Sequence, residues 1–296
     1  MRHARPPATR DNPTIPRMPD WVTLTRGDTL ENLAFMSGAA LAHLHGVVGH
    51  ADVPMPLLRE RLALRAAAAC VALSGRPERA ADLRDAVHLL REGEHPGPAG
   101  EVFQHWRRAV ERPLSTATLH RALTTQTPEQ IAAWLAAGQG APGARAVAVI
   151  TAVLAEAPRA QVAALMLADA AVARALGWDH MLPLLAAGLK PRDLRGQGDD
   201  LRQACCRALV TSATEVCRLA AELARGAGRL NAVTPKLRAK GAGGAVARFL
   251  TRDALAPAAL TDVMSDRAAR RLCDRLVALG AVRELSGRDT FRLYGL

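Results

Sequence analysis

The sequence predicts a mainly α-helical protein that carries one small β-hairpin at its C-terminal end. Only 3% of the 296 residues are aromatic although 49% are hydrophobic, so the core must be built largely from Ala, Leu and Val. Small and γ-branched side chains favour closely packed helices over sheets. Strand-like alternation of apolar and polar residues occurs only after residue 281. The chain before that point is therefore expected to be a helical bundle or array.

Helix start and stop signals support this prediction along the chain. Asp28 is expected to cap an early helix, and apolar residues at helical spacing run from Pro56 to Gly75. Residues 127–130 form a capping box with proline at the first helical position, so another helix begins there. Further helices are expected over about 77–90, around Trp106, on both sides of Pro158 and over about 199–224.

Composition divides the chain into four segments. Residues 1–26 carry charge without an apolar run, which predicts a disordered basic tail and not a secretory signal. Residues 27–228 are expected to form one all-helical domain. Residues 226–244 hold the runs GAG and GAGG and one proline, and within them residues 229–244 are expected to be a linker. Residues 245–296 then form a separate C-terminal module.

Three helices are predicted in this module. The first covers residues 245–251, and a short second helix begins near Pro257. Ser265 is a typical N-cap for the third helix, which ends at Gly280 in the left-handed conformation. An apolar stripe on the third helix faces inward, whereas four arginines lie largely opposite or on its flank: Arg267, Arg270, Arg271 and Arg275.

A β-hairpin is predicted directly after the third helix. Val282 and Leu285 alternate with polar residues, residues 286–289 turn the chain, and Phe291 and Leu293 alternate with Arg292 and Tyr294. Three helices followed by a hairpin are typical of a winged helix-turn-helix. The predicted fold class is therefore a helical body with a C-terminal winged helix-turn-helix.

Positive charge is concentrated in the same part of the chain. The net charge is +11, and residues 229–296 carry 13 Lys and Arg against 6 Asp and Glu. Residues 27–228 carry 21 against 20. A basic module on a near-neutral body is expected when one end meets a polyanion. The predicted partner is double-stranded DNA, contacted by seven arginines: Arg267, Arg270, Arg271, Arg275, Arg283, Arg288 and Arg292.

Two other functions stay open. The module could dock on another protein or on its own body, and this scaffold hypothesis predicts that the arginine face is covered. An enzyme would need a pocket of convergent titratable groups, around Arg65, Asp85 and His88 or around Asp179 and His180. An ion pair between Arg65 and Asp85, on neighbouring helices, is expected to be structural because buried charges require partners.

No cofactor, metal site or membrane span is predicted. His43 and His45 lie on different sides of a helix, which is poor geometry for a shared metal. The five cysteines include no CxxC pair and are expected to be buried thiols of a cytoplasmic protein. The longest uncharged run, residues 32–51, includes three histidines and barely reaches spanning length. The sequence has no P-loop and no GxSxG motif.

The stretch MSDRAARRLCDRLVALGAVRELSGRDTFRLYGL resembles the C-terminal winged helix that follows many Fic-type domains. The Fic motif HxFx(D/E)GNGR is absent, because the chain has no Gly-Asn pair, and AMP transfer by that chemistry is excluded. Together with LRERLALRAAAACVALSGRPERAADLRDAVHLLREGEHPGPAG and LGWDHMLPLLAAGLKPRDLR, this stretch also resembles a helical family, domain of unknown function 1403, mostly from rhizobia, agrobacteria and other bacterial relatives. That resemblance implies a helical fold and no catalytic residue. A sister family with a similar body also ends in a helix-turn-helix, which mildly favours DNA.

Overall fold

The computed structural model describes residues 15–22, 29–91, 93–288 and 290–296. These residues form twelve α-helices and one small antiparallel sheet, which confirms the mainly helical class. The helices are α1 (Leu30–Val48), α2 (Met55–Leu73), α3 (Ala80–His88), α4 (Gly97–Glu111), α5 (Thr116–Ala122), α6 (Pro128–Ala136), α7 (Pro142–Glu156), α8 (Gln161–Ala175), α9 (Leu185–Gly188), α10 (Gly198–Val233), α11 (Ala242–Phe249) and α12 (Asp266–Ala278). The strands are β1 (Arg283–Glu284) and β2 (Tyr294–Gly295).

Helices α1 to α10 build the body around one continuous core. α1 packs along α10, α7 along α8, and α2 along α4. α8 is buried on all sides over residues 163–173, so it runs through the centre of the body. α9 can approach α10 closely because it ends in Gly188, where an added Cβ would lie 2.7 Å from the Cβ of Ala208.

The C-terminal module has a second, smaller core. α11, a 3-10 helix at Pro257–Leu260 and α12 surround Phe249 and Leu276. β1 pairs with β2, and Leu255 makes a further antiparallel bridge with Tyr294. Leu230 of α10 is buried in this second core, and Leu296 packs against both cores. The module is therefore built directly onto the body helix.

The local capping signals are confirmed where the structure describes them. The Thr127 side chain accepts the backbone N–H of Gln130, and Ser265 caps α12 through the N–H of Ala268. Gly280 has the predicted positive φ. Thr29 caps α1, whereas Asp28 lies outside the described residues.

Helix α10 is longer than the sequence predicts. It was expected to end near residue 224 but continues to Val233, so the segment 229–244 begins inside it. Tertiary packing explains the continuation: Gly226 lies against Leu296, and an added Cβ there would approach its Cδ2 to 3.2 Å. At the other end of the chain, Ile15 and Val22 are buried in the body core, although they fall in the segment expected to be a disordered tail. The division into separate domains stays a prediction.

The expected alternation on the second strand is wrong. Phe291 has a φ of 55° and is 61% exposed, whereas Leu293 and Tyr294 are both buried. The left-handed backbone at Phe291 turns its side chain away from the core before the strand begins. The two strands are antiparallel, as expected for a hairpin, and the Leu285 N–H donates to the Leu293 carbonyl at 2.7 Å.

Candidate nucleic-acid interface

Three of the predicted arginines form a ridge along α12. Arg267, Arg271 and Arg275 follow one another at intervals of four residues, so successive side chains lie about 6 Å apart along the helix axis. All three side chains are exposed, because the apolar stripe of α12 faces the second core. We call these three residues the arginine ridge.

A second stripe of α12 runs beside the ridge and carries charges of both signs. Asp266, Arg270 and Asp274 also follow at intervals of four residues. The Nε of Arg270 donates to the Asp266 carboxylate at 2.9 Å. Arg270 therefore differs from the ridge arginines, although the sequence pattern predicts one arginine face for all four.

The ridge forms one wall of an open groove. The opposite wall is the segment 235–239, which follows α10, and the groove has a volume of about 810 Å³. Five basic side chains line the groove: Lys236, Arg238, Arg267, Arg271 and Arg275. Within the described ranges no acidic residue lines this groove, and none of the five basic groups has a carboxylate within ion-pair distance. We call this surface the cationic groove. Lys236 and Arg238 were absent from the predicted set, although the excess of positive charge in residues 229–296 could have indicated them.

The remaining predicted arginines lie on or beside the strands and are not equivalent. Arg283 is exposed on β1. Arg288 forms an ion pair with Asp85 of α3, so its guanidinium is directed to the body. The Nε of Arg292 donates to the Arg288 carbonyl at 3.0 Å. The hairpin therefore contacts the body instead of projecting entirely into solvent.

A buried carboxylate holds the module on the body. Asp253, which lies just after α11, is fully buried and pairs with Arg61 of α2 and Arg84 of α3. The Arg84 Nε lies 2.6 Å from the carboxylate. Burial alone would raise the pKa of the Asp253 carboxyl, but the two guanidinium groups outweigh burial and the pKa is lowered. The fold thus stabilises the charged form of Asp253.

Glu60 of α2 forms the other half of this contact. It accepts the backbone N–H of Asp253 at 3.1 Å and pairs with Arg107 of α4 at 2.7 Å. Arg252 lies 3.7 Å from the same carboxylate. Burial nevertheless raises the pKa of Glu60, with Arg107 and Arg252 compensating only in part. The interface between body and module therefore combines this ionic contact with the apolar contacts of Leu230 and Leu296, and the ionic residues do not line the cationic groove.

Comparison with known proteins places the chain in a family. Residues 6–296 match the model of the family described as protein of unknown function (DUF1403). The chain belongs to this family. No curated protein and no solved structure matches this DUF1403 chain.

The expected Arg65–Asp85 ion pair is wrong for this DUF1403 protein. Arg65 pairs with Glu215 of α10, and Asp85 pairs with Arg288, so each charge has its partner outside the α2–α3 pair. His88 lies beside Phe103, and burial, followed by the nearby Arg107, lowers its pKa to about 3. His88 is therefore neutral at physiological pH.

The histidines of α1 that the sequence pattern indicated contact other segments of the chain. His43 Nε2 lies 3.2 Å from the Pro16 carbonyl, and Trp178 Nε1 donates to His45 Nδ1 at 2.9 Å. Burial lowers the pKa of His180. In the described part of the DUF1403 chain, no three His, Cys, Asp or Glu side chains are grouped as a metal ion requires.

All five cysteines are buried and unpaired, as the sequence predicts. Burial raises the pKa of each thiol whose shift is resolved, for example to about 12 at Cys70 and Cys217. None of the helices in the described ranges combines the length and apolar character needed to cross a membrane.

Proposed function

We propose that the C-terminal module is a winged helix that binds double-stranded DNA through the arginine ridge and the cationic groove. The observation that carries this proposal is the set of five exposed basic side chains lining one groove without a facing carboxylate among the described residues. Such a concave cationic surface attracts a polyanion and gives it a salt-dependent affinity.

The geometry of α12 fits the major groove. From Arg267 to Arg275 the helix rises about 12 Å, which corresponds to roughly three or four base pairs. Arginine can bind guanine O6 and N7 through two hydrogen bonds, and Lys236 and Arg238 on the opposite wall would contact phosphates. The order of α11, the 3-10 helix, α12 and the hairpin supports the winged-helix assignment.

The ridge arginines also repel one another. Like charges four residues apart destabilise a helix by about 0.2–0.5 kcal/mol for each pair, and the ridge contains two such pairs. A bound phosphate backbone would remove this repulsion. In the neighbouring stripe, Asp266 and Asp274 flank Arg270, so no two like charges lie four residues apart there. We therefore assign Arg270 a smaller part in binding than the ridge arginines.

The position of the module on the body favours DNA over a self-packed scaffold. A scaffold of that kind would cover the arginine face. In the structure the module contacts the body through Asp253, Leu296 and Arg288, while the ridge is exposed to solvent. The module is thus docked by a different face from the one that we propose for DNA.

A salt titration of duplex binding by the full chain tests the proposal. The logarithm of the binding constant should fall linearly with the logarithm of salt concentration, with a slope of about −0.9 for each neutralised phosphate. The double variant R267A/R271A should bind less tightly, with a slope shallower by roughly two if both residues contact phosphate, or with lost sequence preference if they contact bases. Fluorescence anisotropy with a labelled duplex measures both quantities.

Two control variants sharpen this experiment. R270A removes a charge from the same helix that is already paired with Asp266, and it should change affinity less than either ridge substitution. R202A removes an exposed arginine near the start of α10, and it should leave affinity unchanged. An affinity that does not change with salt concentration, or a ridge variant that binds as tightly as R202A, would contradict the proposal.

A further inference from the structure

A second basic pocket lies where α10 passes the start of the hairpin. Its volume is about 350 Å³. Apolar side chains such as Leu219, Leu223 and Val282 form part of its wall. Four arginines from three parts of the chain line it: Arg61 of α2, Arg225 and Arg229 of α10, and Arg283 of β1.

The charges of this pocket are not balanced within it. Its one side-chain carboxylate among the described lining residues is Glu222, which pairs with Arg218 outside the pocket. Arg61 is committed to Asp253 and to the Leu296 carbonyl, which it contacts at 3.2 Å. The other three arginines make no ion pair within the described ranges, and Arg225 is partly buried. Three uncompensated guanidinium groups therefore line one concave site.

We propose that this pocket binds a phosphoryl group. A guanidinium offers parallel N–H donors that match two oxygens of a phosphate, and three such groups can surround a dianion from different sides. The concave shape of the site brings the fields of the three groups together and strengthens the attraction for an anion. The volume accommodates pyrophosphate or a small phosphorylated molecule, near the lower limit of typical ligand pockets. This site stands whether or not the cationic groove binds DNA.

The pocket joins the two cores of the protein. Arg225 and Arg229 lie on the body helix, whereas Arg283 belongs to the module. An anion held by all three would connect α10 to the hairpin and stabilise the docked module. Ligand binding should therefore raise the thermal unfolding midpoint of the full chain, because it favours the folded state.

Titration of the full chain with inorganic pyrophosphate at constant ionic strength tests this proposal. Calorimetry should give a saturable binding isotherm, and the unfolding midpoint should rise with pyrophosphate concentration. R229A, which changes an exposed side chain, should weaken binding by about tenfold or more, as expected for the loss of a charged hydrogen bond. R225A/R229A should weaken it further. R202A on the same helix and the ridge variant R267A/R271A should bind as the unmodified protein does.

A competition experiment then identifies the source of the phosphoryl group. If a duplex displaces pyrophosphate, the pocket takes a phosphate of the nucleic-acid backbone. If both bind together, the pocket takes a free phosphorylated molecule. Both outcomes support the site. No pyrophosphate binding at millimolar concentration, or binding that R229A and R225A/R229A leave unchanged, would overturn it. Neither result depends on duplex binding by the ridge, so failure of this proposal is distinguishable from failure of the DNA proposal.

Discussion

Substitution of the buried carboxylate Asp253 tests how the module is held on the body. In the variant Asp253→Asn the charge disappears while the side chain keeps its shape. The side chains of Arg61 and Arg84 are only 12% and 17% exposed, so water cannot replace the lost partner well. Removal of one member of a buried ion pair costs about 3–5 kcal/mol. That is a large share of the roughly 5–15 kcal/mol that stabilises a typical protein.

Glu60→Gln provides a matched comparison in the same interface. Burial raises the pKa of Glu60 in spite of Arg107 and Arg252, so the fold disfavours its charge overall. Gln can still accept the backbone N–H of Asp253 through its amide oxygen. We therefore expect a clearly smaller loss for Glu60→Gln than for Asp253→Asn, on the order of 1 kcal/mol.

Urea unfolding followed by circular dichroism measures both variants. Because the pKa of folded Asp253 is lowered, its contribution to the unfolding free energy is present above the unfolded pKa of about 4 and is lost as pH falls through the folded pKa. The difference between the unmodified protein and Asp253→Asn should thus be constant from pH 5 to 7 and shrink towards pH 3. Equal urea midpoints for Asp253→Asn and the unmodified protein, or a larger loss for Glu60→Gln, would refute this reasoning.

Three further predictions concern an internal carboxyl, the ridge and a glycine. Burial raises the pKa of Asp169 to about 8 although its carboxylate accepts the Leu184 and Leu185 N–H groups, so folding favours the protonated form. Stability should fall as pH rises from about 4 to 8, and Asp169→Asn should remove that part of the dependence, as measured by urea unfolding across this range. Arg271→Glu should weaken duplex binding yet raise the unfolding free energy by about 0.5–1 kcal/mol, because two repulsive pairs along α12 become attractive while the pair with Asp274, three residues on, becomes repulsive. Gly241→Ala should lower the thermal midpoint and cost about 2 kcal/mol or more, because Gly241 has a φ of 86° and an added Cβ would lie on the Val263 carbonyl oxygen.

Each of these predictions has a control. Asp199→Asn removes an exposed carboxylate and should leave the pH dependence unchanged. A loss of stability in Arg271→Glu would show that Arg271 has a packing role and would weaken the case for the ridge. Gly243→Ala, in the first turn of α11, meets no atom within 4 Å and should stabilise the helix slightly. A destabilised Gly243→Ala would show that an added methyl group is costly throughout this turn, so the loss in Gly241→Ala could not be assigned to the contact with Val263.

Local features of the fold could be predicted because their causes are local. The capping bonds of Thr127 and Ser265 join residues three positions apart, so the sequence alone indicates them. The exposure of the arginine ridge follows in the same way from the apolar stripe on the opposite side of α12. The pairing of Arg270 with Asp266 was also visible in the sequence, as an interval of four residues, and could have separated Arg270 from the ridge.

The remaining features depend on contacts between distant parts of the chain. Asp253 pairs with Arg84 across 169 positions, and no spacing rule selects that arginine among the others of the body. Arg65 and Asp85 each have a partner that only the packing of α10 and the hairpin supplies. Gly226 indicated a helix end by its low helix propensity, a cost of about 1 kcal/mol, but it lies where Leu296 leaves little room for a larger side chain.

Because one uninterrupted helix takes part in both cores, the number of residues along α10 sets the angle between them. An α-helix turns by about 100° for each residue, so a single insertion between Ala220 and Leu230 would rotate the module by more than a quarter of a revolution about the helix axis. Asp253 would then face away from Arg61 and Arg84. In homologous chains, changes of length in this part of α10 should therefore be rare or come in complete turns.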